Sequence, residues 1–99
     1  MAVLVKLTAH PGRGDELANV LARFADQSAG EPGTALYVVN RAADDRDAFW
    51  CAEVFTSPDA FEAHRAGDTV AQLLPAMDDL VAEREILRGH VVASTGVAP

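Results

Sequence analysis

Three histidines, one cysteine, one tryptophan and one tyrosine are the scarce groups through which this 99-residue chain could do chemistry. No two of His10, His64 and His90 stand at the spacing of metal ligands, so no metal site is expected. The lone Cys51 excludes an internal disulfide and a CxxC motif. His64 follows Phe61 by three residues, which places both on one face of a helix. It reads either as a general base working near neutral pH or as a structural histidine bonded to a backbone carbonyl or to Glu53. Glu53 interrupts an otherwise apolar run, Phe49-Trp50-Cys51-Ala52-Glu53-Val54-Phe55. A carboxylate there must be paired, exposed at an edge or raised in pKa. Arg41, Arg65 and Arg88 are the expected partners. Tyr37 and the tryptophan, Trp50, are either core and interface aromatics or pocket walls that stack on a planar ligand. Cys51 has no basic neighbour in sequence and reads as a small buried hydrophobe. There is no glycine-rich phosphate loop, nucleophile elbow or zinc motif, so catalysis is expected to run without a cofactor.

The elements that must position these groups follow from periodicity. Residues 2–9 alternate as a strand, with Val3, Val5 and Leu7 on one face. His10-Pro11-Gly12-Arg13-Gly14 forms a turn. Leu17, Val20, Leu21 and Phe24 then recur at helical spacing, and Gly30-Glu31-Pro32-Gly33 ends that helix. Residues 34–41 and 48–55 are two further strands joined by the polar loop 42–47. Ser57 is the N-cap and Pro58 the first residue of a second helical region, which pauses at Gly67-Asp68. The stripe Val70, Leu73, Leu74, Met77, Leu80, Val81 resumes it, with a kink or restart expected at Pro75. A last strand is expected over 85–93, with Gly89 a weak point or bulge.

The order β-α-β-β-α-β with right-handed crossovers predicts an α+β, ferredoxin-like split βαβ with a four-stranded antiparallel sheet. Both faces of its middle strands are apolar, and the helices can cover only one. The uncovered face predicts a homodimer packed sheet against sheet. One domain is expected over 1–99, with a core of about 2–92 and a tail at 93–99. The formal charge of -7 argues against nucleic acid or an anionic membrane as partner. No apolar run approaches a membrane span and no leader pattern is present, so a cytoplasmic location is expected.

The stretch Glu53-Val54-Phe55-Thr56-Ser57-Pro58-Asp59-Ala60-Phe61-Glu62-Ala63-His64 resembles the E-x-[WYF]-x-S-x-x-A-[LF]-x-x-H pattern of the antibiotic biosynthesis monooxygenase family. Pro11-Gly12, Glu31-Pro32-Gly33 and Tyr37 are similar to further family positions, and the resemblance covers roughly residues 2–92. It implies a dimeric α+β barrel with a pocket between sheet and helices in each protomer. It also implies oxidation of quinol-like or anthrone-like aromatics by O2, without flavin or metal; other relatives degrade haem. The asparagine and tryptophan of anthrone-oxidising relatives fall at Cys51 and Phe55. The asparagine, tryptophan and axial histidine of haem-degrading relatives fall at Val5, His64 and about Leu74. Without the axial ligand, haem degradation is not expected.

Two readings stand. The first is a cofactor-independent monooxygenase acting on a small aromatic with O2. His64 would be the base, Phe24, Tyr37, Trp50, Phe55, Phe61 and Met77 the walls, and Arg41 or Arg88 an anion stabiliser beside Glu53. The second is a non-catalytic dimer that binds a small ligand or assists a pathway enzyme.

Overall fold

Four strands run antiparallel in the order β2-β3-β1-β4, and the helices pack on one side. In chain order the elements are β1 Ala2–Ala9, α1 Gly14–Ser28, β2 Thr34–Arg41, β3 Ala48–Phe55, α2 Pro58–Arg65, α3 Asp68–Leu80 and β4 Val81–Gly89. This is the expected α+β, ferredoxin-like arrangement, with the second helical region split in two. The computed structural model describes residues 1–97; the expected tail over 93–99 therefore reaches two residues outside the described ones.

Local chemistry explains most boundaries. The Ser57 hydroxyl accepts from the Ala60 amide at 3.0 Å, and Pro58 fills a first-turn position that needs no N–H. Gly67 takes an extended backbone and divides α2 from α3. Of the kink or restart expected at Pro75, the restart is corrected: α3 is one helix with Pro75 in its interior. The last strand is also corrected, because β4 covers Val81–Gly89 and not 85–93. Its partner sets these limits. β4 pairs only with β1, from Ala9 opposite Val81 to Ala2 opposite Gly89, so residues beyond Gly89 find no strand to bond. The register shift lies at Thr8/Ala9 and not at Gly89.

Cross-strand register sorts the side chains into rows. On the helix side run Tyr37–Glu53–Val3–Arg88, then Val39–Cys51–Val5–Ile86, then Arg41–Phe49–Leu7–Arg84. Leu17, Leu21 and Phe24 of α1 and Leu73 and Leu80 of α3 pack on the second and third rows to form the main core. Val3, Phe55 and Phe61 form a smaller cluster at the other end. The opposite face carries Leu36–Val54–Ala2–Gly89, Val38–Ala52–Leu4–Leu87 and Asn40–Trp50–Lys6–Glu85, with no element over it.

Candidate active site

A cavity of about 170 Å³ lies between the first two helix-side rows and the helices. Val3, Val5, Leu21, Phe24, Val70 and Met77 line it with hydrocarbon and sulfur. Its polar end holds Tyr37, Glu53 and His64, and its rim holds Arg65, Ile86 and Arg88. The helices leave this rim open, for Ile86 is half-exposed although it faces their side of the sheet.

His64 reaches the cavity from the last turn of α2 and is 7% exposed. Its Nδ1 is 2.8 Å from Glu31 Oε2 and 3.2 Å from Oε1. A carboxylate can only accept, so in this pair Nδ1 carries a proton, and in the neutral form of the ring Nε2 then keeps its lone pair. Nε2 lies 3.9 Å from Glu53 Oε1, beyond hydrogen-bond reach. The rings of Phe55 and Tyr37 stand 5.3 and 5.9 Å from the imidazole and confine it.

Glu31 was not among the expected site residues. It lies 33 positions before His64, in the loop between α1 and β2. The signal for it was Gly33. A Cβ at Gly33 would run into the Ala60 Cβ, so only glycine lets that loop close on α2 and set Glu31 beside His64.

Glu53 is 5% exposed, and the expected pairing with Arg41, Arg65 or Arg88 is corrected: no arginine reaches it. Burial, and then the nearby charge of Glu31, push its carboxyl up to about 7. Beside it, burial and then Glu53 hold the Cys51 thiol at about 12, which leaves it the neutral, inert side chain expected. Burial likewise pushes the Tyr37 hydroxyl well above the ordinary phenol range.

Of the other expected wall residues, Phe24, Tyr37, Phe61, Met77 and Arg88 line the cavity. Phe55 stands behind it, against Phe61 and His64. Trp50 is corrected: β3 alternates, so Trp50 points to the open face and is 39% exposed. Arg41 is corrected too. It lies at the far end of the sheet, where its Nη2 donates to Asp15 and its Nε to the Arg46 carbonyl. His90 lies beyond β4, and His10 is exposed in the turn after β1. Among the described residues, no helix is long and apolar enough to cross a membrane.

A family model described as antibiotic biosynthesis monooxygenase matches residues 1–75. No curated protein sequence matches the chain. A Nitrosomonas europaea structure, named as a candidate antibiotic biosynthesis monooxygenase, is 18% identical with a TM-score of 0.88, covering 93% of this chain and 98% of that one. A Pseudomonas aeruginosa structure is 21% identical with a TM-score of 0.86, covering 93% of both chains. A third, from Chloroflexus aurantiacus and named in the same way as the first, is 28% identical with a TM-score of 0.73, covering 93% and 97%.

Proposed function

Since the chain belongs to the antibiotic biosynthesis monooxygenase family, we propose that it is a monooxygenase that oxidises a one-ring phenol or quinol with O2. The observation that carries this reading is Glu53 and His64, side by side at the polar end of an otherwise apolar cavity. A cavity of about 150 Å³ accepts a benzene ring, so one of about 170 Å³ suits a single ring.

His64 is the proposed base. Glu31 holds Nδ1 and leaves the Nε2 lone pair for the substrate hydroxyl. The phenolate then donates an electron to O2, and the radical pair joins at a ring carbon ortho or para to the oxygen. The ring carbon loses its proton, the O–O bond breaks, and hydroxide leaves. Phenol plus O2 thus gives a quinone plus water, with one oxygen atom in each product. Glu53, held near neutrality, can return a proton to the departing oxygen. The substrate itself is the reductant, so this route needs no resident cofactor. Hydrophobic walls desolvate the ring and hold it for O2.

The uncovered face supports the companion proposal of a sheet-to-sheet homodimer. Leu4, Leu36, Val38, Ala52, Val54 and Leu87 form an apolar centre there, with Trp50, Lys6, Glu85 and Asn40 along one side. Sedimentation at micromolar concentration should give twice the 10.5 kDa chain mass, and a monomer would overturn the proposal.

Cys51 and Phe55 occupy the places where anthrone-oxidising relatives carry asparagine and tryptophan, and both are buried. That observation favours a second reading, a dimer that binds a small aromatic without turning it over. Oxygen-electrode traces on a panel of one-ring phenols and quinols separate the two. Uptake above the spontaneous rate supports the oxygenase; saturable binding with no uptake supports the binder.

A further inference from the structure

The cavity has a second chemical end that the proposed proton and oxygen steps leave unused. Arg65 comes from α2 and Arg88 from β4, yet both guanidinium carbons sit over the Phe61 ring, at 5.6 and 5.2 Å from its centroid. Both residues line the cavity rim. Such cation–π seating holds two long side chains at the mouth before any ligand arrives. Their states differ. Arg65 bonds Glu62 one turn earlier at 3.3 Å, whereas Arg88 makes no hydrogen bond or ion pair among the described residues. In a chain of net charge -7, an unpaired arginine turned toward an apolar cavity is a ready anion receptor.

Register sets the distance between the two ends. Glu53, Val3 and Arg88 occupy one row, so two strand spacings, roughly 10 Å, separate the backbones of Glu53 and Arg88. A benzene ring with substituents at opposite ends, hydrogen-bonded at both, spans such a gap. Orientation is determined too. An anionic group at the Glu53 end would meet Glu53 and Glu31, while at the rim it meets a guanidinium.

We propose that the substrate is an aromatic acid: a one-ring phenol whose far end carries a carboxylate that Arg88 binds, with Arg65 assisting. This rests on the cavity being a phenol site. The ring lies against Val3, Val5, Phe24 and Met77, and the hydroxyl meets His64 and Glu53.

The test is calorimetric binding of 4-hydroxybenzoate against its neutral counterpart 4-hydroxybenzamide. The acid should bind at least about tenfold more tightly, the size of a charge-assisted hydrogen bond at a partly wet site. Arg88→Gln should bring acid and amide within about twofold of each other, Arg88→Lys should restore part of the preference, and Arg65→Gln should cost less than Arg88→Gln. Arg88 is exposed, so unchanged thermal melting of its variants is expected and checks that they fold. Equal binding of acid and amide by the wild-type chain overturns the proposal. So does an acid preference that survives Arg88→Gln. Oxygen uptake with 4-methylphenol keeps the two claims apart. Uptake without acid preference sinks the aromatic acid and leaves the oxygenase. Acid preference without uptake on any phenol sinks the oxygenase and leaves the acid site.

Discussion

The helix-covered face of the sheet carries charged groups at both ends, and the two ends treat them differently. Where α1 begins, charged groups are paired with one another and with backbone amides. Arg41 and Arg46 share Asp15 Oδ1 at 2.8 and 2.9 Å, and they hold that exposed carboxyl below the ordinary range. Arg84 pairs with Asp78 at 2.6 Å. The Asp47 carboxylate accepts from the Gly12 and Gly14 amides at 3.1 and 2.9 Å, tying the β2–β3 hairpin to the start of α1. Where α1 ends, groups are left over. Among the described residues Glu53 makes no hydrogen bond, Arg88 makes no hydrogen bond or ion pair beyond its seat over Phe61, and the buried Ser28 hydroxyl has no partner. Folding alone selects for satisfied polar groups. Unsatisfied ones facing a cavity point to a ligand that completes them.

The largest expected effect breaks or keeps that contrast at His64. His64→Ala should lower oxygen-dependent turnover by about 10²–10⁴-fold, the usual contribution of a general base. His64→Gln, which fills the same space, should lose a similar factor and melt closer to the wild type. Near-normal turnover in His64→Gln would make the site end as structural as the other.

Glu53 gives the next effect, read as stability against pH. Its carboxyl is raised from an ordinary 4.5 to about 7 in the folded chain. Below about pH 4.5 both folded and unfolded chains hold the proton, and the residue contributes nothing. Between there and about pH 7 the folded chain binds a proton that the unfolded chain has released, so stability falls as pH rises. The loss should be on the order of 2–4 kcal/mol and should level off above pH 7. Glu53→Gln should flatten that slope in denaturant titrations across pH 5–8. An unchanged slope would show that another group carries it.

The same contrast shows what could be read before the structure. Alternation in β1 and β3 sorted their residues into two faces and showed both to be apolar, and Ser57-Pro58 marked a helix start that the hydroxyl cap bears out. Trp50 was legible as well. A period of two puts it opposite in sense to Glu53, so the two could not share a pocket. The rest depended on distant partners. The extent of β4 follows from the eight residues of β1, which nothing in the 85–93 stretch reveals. The fate of Arg41 follows from where the hairpin meets α1. Glu31 meets His64 across 33 positions, and only the tight packing at Gly33 foretells it.

At the satisfied end, Asp47→Ala should be a stability change only. It removes acceptors from two amides at the entry to α1, one of them partly buried. A loss of about 1–2 kcal/mol is expected, seen as a melting shift of several degrees in a chain this size. Oxygen uptake per folded molecule should stay unchanged. A fall in uptake with the fold intact would mean that the two ends are coupled and that the contrast is drawn too sharply.

The smallest effect is expected at Ser28, and its sign carries the information. Ser28 closes α1 at the site end, with 0% exposure and no hydrogen-bond partner for its hydroxyl, yet it does not line the cavity. A buried hydroxyl without a partner costs desolvation that nothing offsets, while its removal leaves a gap of only one oxygen. Ser28→Ala should therefore stabilise the chain slightly, by about 0.5–1 kcal/mol, and leave turnover alone. Chemical denaturation of the variant beside the wild type measures it directly. A clear destabilisation would mean that the hydroxyl bonds back to a carbonyl of the preceding turn, the common refuge of a helical serine. In that event Ser28 would join the satisfied groups, and only Glu53 and Arg88 would distinguish the site end.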